Sequence, residues 1–291
     1  MAPLEGPGLG EKSTVLTMAA TERPISWRTA MALVMGVLNV TPDSFYDGGR
    51  WADEEEAVTR GCAMAEEGAD VIDVGGESTR PGASEVGESE ELRRVVPVVR
   101  ELGRRLGGRA RISVDTRKRA VAEAALDAGA TILNDVSASL WAAAAEAGAG
   151  WVVMHMRGEP SNMGSFASYG DVVGEVKSFL VERAEKAKQD GVGEIWVDPG
   201  IGFAKTMAHN LQLLAHLDDF VATGWPVAVG LSRKRFTGAV ASGDEAQPAP
   251  PEDRLEGSLT GAVWALLSGT AMVRAHDVKA TADAAKLVGV K

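Results

Sequence analysis

"ARISVDTRKRAVAEAALDAGATILND" covers residues 110–135 and holds three segments in a row. Residues 110–115 form a short apolar run that ends on the carboxylate of Asp115. Residues 117–129 carry apolar side chains at helical spacing and stop at Gly129, the residue type that commonly ends a helix in a left-handed turn. Residues 130–135 form a second short run, closed by Asn134-Asp135. Two runs joined by a helix of this length read as neighbouring parallel strands with a crossover helix.

The unit recurs along the chain. Further runs stand at 32–39, 69–76, 151–155, 194–198, 226–230 and 271–276, which makes eight. Helical patterns lie at 53–68, 88–107, 169–191, 208–224, 254–269 and 277–289, several of them stopping at glycine. Pro97, inside the second pattern, is expected to kink or shorten that helix. "ASGDEAQPAPPED" (241–253) is a Pro-rich surface loop that splits the helical region after the seventh run. Eight is the strand number of a closed (β/α)8 TIM barrel of the α/β class. The rival is an open doubly wound sheet. It is weakened because no Gly-rich dinucleotide fingerprint follows the first run. Residues 29–291 are therefore read as one barrel domain, and 1–28, with their Gly and Pro, as a loosely ordered N-terminal arm.

The chain has 291 residues, of which 45% are hydrophobic and 24% charged, enough for a sizeable core. A formal net charge of −11 opposes nucleic acid and anionic membranes, so an anion site must be a local basic cluster. No stretch has membrane-spanning length and no secretory signal is visible. Cys62 is the sole cysteine, which rules out an intrachain disulfide and a cysteine metal site and fits a reducing, cytoplasmic setting. Its bland reading is a small core residue on a helix.

Every run ends in polar residues: Asn39, then Gly76-Glu77-Ser78-Thr79-Arg80, Asp115, Asn134-Asp135, His155, Asp198, Ser232-Arg233-Lys234 and Arg274-Ala275-His276. In a parallel barrel these ends share the face that carries active sites. Each has a bland alternative. Asp115-Thr116 suits a helix cap, and Asn134-Asp135, Asp198-Pro199-Gly200 and Arg80-Pro81-Gly82 suit turns. His155 suits a satisfied packing position, and His209 and His216 a surface helix. The coincidence of eight polar ends favours a site. Its cations, Arg80, Lys234, Arg274 and His276, match phosphate oxygens. Asn39 with nearby carboxylates suits Mg²⁺, which takes oxygen ligands together with substrate phosphates. Asp115, Asn134 and Asp198 match the donor edge of a planar, nitrogen-rich heterocycle. These residue types describe a barrel enzyme for a phosphorylated heteroaromatic.

At these positions the chain resembles the dihydropteroate synthases, a family of pterin-binding barrels. The matching blocks run in order, each at a strand end: "MGVLNVTPDSFYDGG", "GADVIDVGGESTRPGA", "ISVDT", "LNDVS", "VVMHMRGEP", "VDPGIGFAK", "VGLSRKRFTG" and "VRAHDV". The resemblance implies condensation of 6-hydroxymethyl-7,8-dihydropterin diphosphate with 4-aminobenzoate, giving 7,8-dihydropteroate and diphosphate in folate biosynthesis. It implies a pterin pocket of Asp115, Asn134, Met154, Asp198, Gly230, Lys234 and Arg274. It assigns diphosphate to Asn39, Arg80, Arg274 and His276, with Mg²⁺ on Asn39. It assigns aminobenzoate, and the sulfonamides that mimic it, to Ser78, Thr79, Pro81, Phe203 and Ser232, with Phe45 folding over from the first loop. Asp47, Lys234 and Arg274 would act in the chemistry, and the assembly would be a homodimer. Two departures stand out. "SASLWAAAAEAGAG" is shorter than the family usually has, so a trimmed fourth helix is expected, and Glu256 stands where a smaller residue is common. The alternatives are a pterin-binding methyltransferase domain, which does not need the diphosphate cluster, and a non-catalytic paralogue, which would have lost part of it.

Overall fold

The computed structural model describes residues 31–41, 50–78 and 85–291. The arm expected at 1–28 lies outside them. Strand and helix alternate throughout: β1 (Leu33–Asn39), α1 (Arg50–Glu66), β2 (Val71–Gly75), α2 (Glu88–Leu106), β3 (Arg111–Asp115), α3 (Arg119–Asp127), β4 (Ile132–Asp135), α4 (Trp141–Ala147) and β5 (Gly150–Met154). They continue with α5 (Val172–Gln189), β6 (Ile195–Asp198), α6 (Met207–Ala215), α7 (Leu217–Val221), β7 (Ala228–Gly230), α8 (Arg235–Ser242), α9 (Leu255–Leu267), β8 (Met272–Ala275) and α10 (Val278–Leu287). The strands are all parallel and ordered β6-β5-β4-β3-β2-β1-β8-β7. A parallel bridge between Val197 and Val227, with Val197 N–H donating to Pro226 O at 2.9 Å, joins β6 to β7 and closes the barrel.

The closed sheet sorts its residues by parity, because successive side chains point to opposite faces. Met35, Val71, Ile132, Val152, Trp196, Ala228 and Met272 form one buried cluster, the plug inside the barrel. The larger cluster, with Val34, Ile72, Leu133, Val153 and Val197, packs the outer face against the helices. Counting on from the plug in steps of two brings Asn39, Gly75, Asn134, Met154, Asp198, Gly230 and Arg274 to the inner face at the C-terminal ends. Strand register sets Asn39 beside Gly75, Gly75 beside Asp115, and Asp115 beside Asn134.

Some details differ from the sequence reading. Pro97 does not shorten α2, which runs unbroken through it from Glu88 to Leu106. The carbonyl that loses its hydrogen bond to Pro97 belongs to Arg93, an exposed residue on the solvent side. The pattern at 208–224 breaks at His216 into α6 and α7. The short α8 precedes the Pro-rich loop and α9 follows it. As expected, α4 is trimmed, to seven residues. Among the described residues no helix is long and apolar enough to cross a membrane.

Candidate active site

The strand ends surround a cavity of about 540 Å³, the size of a small-molecule site. Of the residues singled out in the sequence, Asn39, Ser78, Asp115, Phe203, Gly230, Ser232, Lys234, Arg274 and His276 border it. Asn134, Met154 and Asp198 are buried beside it rather than on its wall. Phe45, Asp47, Thr79, Arg80 and Pro81 lie outside the described residues.

Parity separates the paired candidates. Asn134 faces inward, while its neighbour Asp135 faces out and serves the turn after β4. Asp135 accepts from the N–H groups of Ser137, Ser139 and Leu140 at 2.7–2.9 Å, from the Ser137 hydroxyl, and from Trp151 Nε1 at 3.1 Å. Met154 likewise faces in, and His155 out. The His155 ring packs against Phe179 at 5.0 Å between centroids, and its Nδ1 lies 3.0 Å from Lys205 Nζ. Burial, then the charges of Lys205 and Arg157, pull its pKa down to about 3, so His155 stays neutral. Asp115 caps no helix: the N-cap of α3 is Lys118, with no side-chain cap hydrogen bond.

At the centre stands Arg274, from β8. Its Nε donates to Asp73 Oδ2 at 2.6 Å and its Nη2 to Asp115 Oδ2 at 2.8 Å. Asn134 Nδ2 donates to the same Asp73 oxygen at 3.0 Å. The second oxygens, Asp73 Oδ1 and Asp115 Oδ1, are buried with no hydrogen-bond partner. A buried acceptor left unpaired costs about 1–3 kcal/mol, so two together mark a place built for donors from outside the chain. Asp73 escaped the sequence reading because it lies inside "VIDVGG" rather than at its end. The available signal was parity, since Asp73 shares the inner face with Val71 and Gly75.

Burial works against each of these charges, and opposite charges partly offset it. Burial pushes the Asp115 carboxyl up to about 7, with Arg274 opposing and Asp73 reinforcing. Burial also raises Asp198, against the pull of Lys234. Lys234 falls to about 8 through burial, partly offset by Asp198. Lys205, a second cation missed in the sequence, falls to about 7 for the same reason. Arg274 loses ground to burial, but Asp73 and Asp115 more than restore it, so it stays charged.

The loop after β6 is shaped around these groups. Gly200 has φ of 65°, and a Cβ there would stand 1.9 Å from the carbonyl oxygen of His155, so only glycine fits. Its N–H donates to Asp198 Oδ1 at 2.7 Å. Lys234 Nζ donates to the Ile201 carbonyl and sits 4.7 Å over the Phe203 ring. Lys205 Nζ donates to the carbonyls of Phe203 at 3.0 Å and His155 at 3.3 Å, tying this loop to the end of β5. His276, after β8, meets Ser232 Oγ through both its N–H and Nδ1 at 3.1 Å.

Among the described residues no group of three His, Cys, Asp or Glu is arranged to hold a metal. Asn39 offers the cavity an amide oxygen. That donor set does not cage an ion, but it fits Mg²⁺ carried in by phosphates, which takes only one or two protein ligands. The arrangement as a whole can read a planar donor edge with carboxylates on one side and neutralise an anion with cations on the other.

Comparison with known proteins agrees with this chemistry. The pattern of the family described as pterin binding enzyme matches residues 35–276. The dihydropteroate synthase of Mycobacterium leprae is 46% identical over 264 residues, covering 88% of this chain and 92% of that protein. The Xanthomonas albilineans dihydropteroate synthase solved with 4-aminobenzoic acid superposes with a TM-score of 0.81 at 44% identity, covering 89% of this chain and 92% of the other. The same enzyme in complex with 7,8-dihydropteroate gives a TM-score of 0.77 at 40% identity, covering 90% and 94%.

Proposed function

Since the chain belongs to the pterin-binding enzymes, and among them to the dihydropteroate synthases, we propose that the cavity at its strand ends joins a pterin diphosphate to 4-aminobenzoate. The chain is a transferase that condenses 6-hydroxymethyl-7,8-dihydropterin diphosphate with 4-aminobenzoate, releasing diphosphate and 7,8-dihydropteroate. The observation that carries the assignment of the site is the pair of unpartnered carboxylate oxygens on Asp73 and Asp115 beside Arg274 and Lys234.

We assign the pterin edge to Asp115, Asn134 and Asp198, now with Asp73, and its flanks to Met154, Gly230, Lys234 and Arg274. Diphosphate goes to Asn39, Arg80, Arg274 and His276. Aminobenzoate goes to Ser78, Thr79, Pro81, Phe203 and Ser232, under Phe45. The bond from the pterin methylene carbon to the diphosphate oxygen breaks early, leaving a delocalised pterin cation that Asp47 stabilises. Arg274 and His276 draw the electron pair toward the leaving diphosphate. The aryl amine is already neutral at pH 7, so its attack needs no strong base. Asn39 is the residue we assign to hold Mg²⁺, which, when bound with diphosphate, neutralises part of the leaving charge. A chain of this activity belongs in the cytoplasm.

An assay of diphosphate release with both substrates tests the function. Release that depends on aminobenzoate, with dihydropteroate formed in equal amount, supports it. Release with no dihydropteroate formed when aminobenzoate is present, or methyl transfer to a corrinoid in its place, refutes it.

The anion site should also govern the second substrate. Aminobenzoate binding to the protein alone is expected to be weak and to tighten about tenfold or more with Mg²⁺ and diphosphate present, a usual size for coupling between sites. Equal affinity by calorimetry, with and without them, contradicts the ordered assembly.

Lys234 sets an alkaline limit. The value of kcat/KM for the pterin diphosphate reports the free protein. It should fall as pH rises through about 8 and Lys234 loses its proton. Stability moves the other way. Folded Lys234 and Lys205 hold protons less tightly than the unfolded chain, so their contribution grows from pH 7–8 toward the ordinary lysine value of 10.5. Activity that stays level to pH 10 removes Lys234 from the site.

We also propose a homodimer. Leu211 on α6, Val240 on α8, and Trp264 and Leu267 on α9 are 41–58% exposed. Trp264 Nε1 donates to the Leu214 carbonyl, which places α9 against α6. A second copy is the expected cover for so much apolar surface. Light scattering should give twice the chain mass, and Trp264→Glu should give the monomer. A monomeric wild type rejects the proposal.

A further inference from the structure

The loop after β7 holds a residue in strain. Arg233 has φ of 56°, a left-handed conformation that residues with a side chain seldom adopt. It separates two residues of the site, Ser232 assigned to aminobenzoate and Lys234 to the pterin. Ser232 meets His276 on the anion side. Lys234 leans over Phe203 and reaches the loop after β6.

Four contacts hold Arg233 in this conformation. Its N–H donates to Ser258 Oγ at 2.8 Å, and its carbonyl accepts from Arg254 Nη1 at 2.9 Å. Its guanidinium grips Asp277 with both arms, Nε at 3.0 Å and Nη2 at 2.6 Å. Asp277 directly follows His276 and is itself anchored at the head of α10, where its carbonyl accepts from Thr281 Oγ1 at 2.9 Å. The Arg233 guanidinium holds the Asp277 carboxyl below its ordinary range. The ion pair therefore clips the loop after β7 to the loop after β8. An ion pair with side chains 38% and 21% exposed adds little to stability, and a planar two-armed pair is suited instead to fixing direction.

We propose that Arg233 is a positioning residue, whose two-armed pair with Asp277 holds the left-handed turn that keeps Ser232 against His276 and aims Lys234 at the pterin ring. Arg233 borders the cavity, but its guanidinium is engaged with Asp277 through both Nε and Nη2. The two act by keeping Ser232, Lys234 and His276 at fixed spacing across two loops. This rests on the reading of the cavity as the pterin diphosphate site.

Three variants test it: Arg233→Gly, Asp277→Asn and the double variant. Glycine adopts the same φ without strain, so Arg233→Gly removes the clip and leaves the turn permitted. Asp277→Asn keeps the shape and removes the charge. Each single variant is expected to lower kcat/KM for the pterin diphosphate by about tenfold or more through lost alignment. Tm should stay within a few degrees of wild type, which a merely structural role would not allow. The double variant should be no worse than the poorer single by more than about twofold, because both act on one contact. Values of kcat/KM within about twofold of wild type in both singles, or effects that multiply in the double, overturn the proposal. If Arg233→Gly does not fold, Asp277→Asn decides on the same criterion. If the wild type makes no dihydropteroate, the functional reading fails first, and inorganic diphosphate titrated into wild type and variants decides the positioning role. A loss of about tenfold in affinity supports it and equal affinity overturns it.

Discussion

Asp198→Asn should weaken pterin binding about a hundredfold or more, nearly abolishing it, while leaving the protein folded. Asp198 ends β6 and is 9% exposed. One of its oxygens, Oδ1, is committed to the Gly200 N–H at 2.7 Å. The other is free to accept from a heterocycle, and Lys234 is near enough to pull on its charge. An asparagine would keep its single oxygen on Gly200, because that turn admits no other conformation. Its NH2 would then face the amino and ring N–H groups of the pterin, donor against donor. Each unpaired buried donor costs about 1–3 kcal/mol, and two make a loss of roughly a hundredfold or more in affinity. The substitution should act on Lys234 as well. Asp198 is the charge that holds the lysine pKa up against burial, so the alkaline limb should move below about 8. Calorimetry with the pterin diphosphate would remove Asp198 from the site if affinity stayed within about threefold of wild type.

Arg274→Met should damage both chemistry and fold, and the damage to the fold should depend on pH. The arginine stands between Asp73 and Asp115, both buried. Removing one partner of a buried ion pair costs about 3–5 kcal/mol because charge is left uncompensated. The protein can escape by keeping a proton on Asp115, whose carboxyl is already pushed up to about 7 and would rise further without the guanidinium. The sign follows from linkage. A carboxyl that binds protons more tightly when folded favours folding at low pH, and that contribution is lost as pH rises through the folded value. The Tm deficit against wild type should therefore be small at pH 5 and large at pH 8. Turnover should drop on the order of a thousandfold, since the same side chain neutralises the departing anion. A Tm deficit equal at both pH values would mean that the carboxylates do not depend on Arg274, and the central assignment would fall.

The barrel was readable because its signals are local. Each strand is a short apolar run and each helix a periodic segment closed by glycine, so the eight units needed no knowledge of long-range contacts. The strand ends were readable for the same reason, and period-two parity explains why Asn134 and Met154 face the site while Asp135 and His155 do not. What escaped depends on partners far away in sequence. Asp73 gains its meaning from Arg274, 201 positions later, and without that contact it is one carboxylate in an apolar run. Lys205 looked like any lysine after a glycine-rich turn until the fold brought it to His155. Arg233 sat in plain view inside "SRK", but its backbone conformation and its hold on Asp277 are properties of two loops together. The short α8 shows the opposite limit, since eight residues ending in "GAVAS" carry too little periodicity to stand out.

The parallel bridge at Val197 and Val227 is slight compared with the ladder between β1 and β2, which runs from Met35 to Asn39. A cylinder with one weak seam opens there first, and local opening follows the region of fewest protected backbone bonds. The two lips of this seam carry Asp198, at the end of β6, and Lys234, just after β7. A ring gripped by both is a rivet through the seam, binding only the closed cylinder. By mass action, a compound that fills the ring position then holds the whole barrel shut, raising its resistance to heat and protease in proportion to the logarithm of its concentration over its dissociation constant.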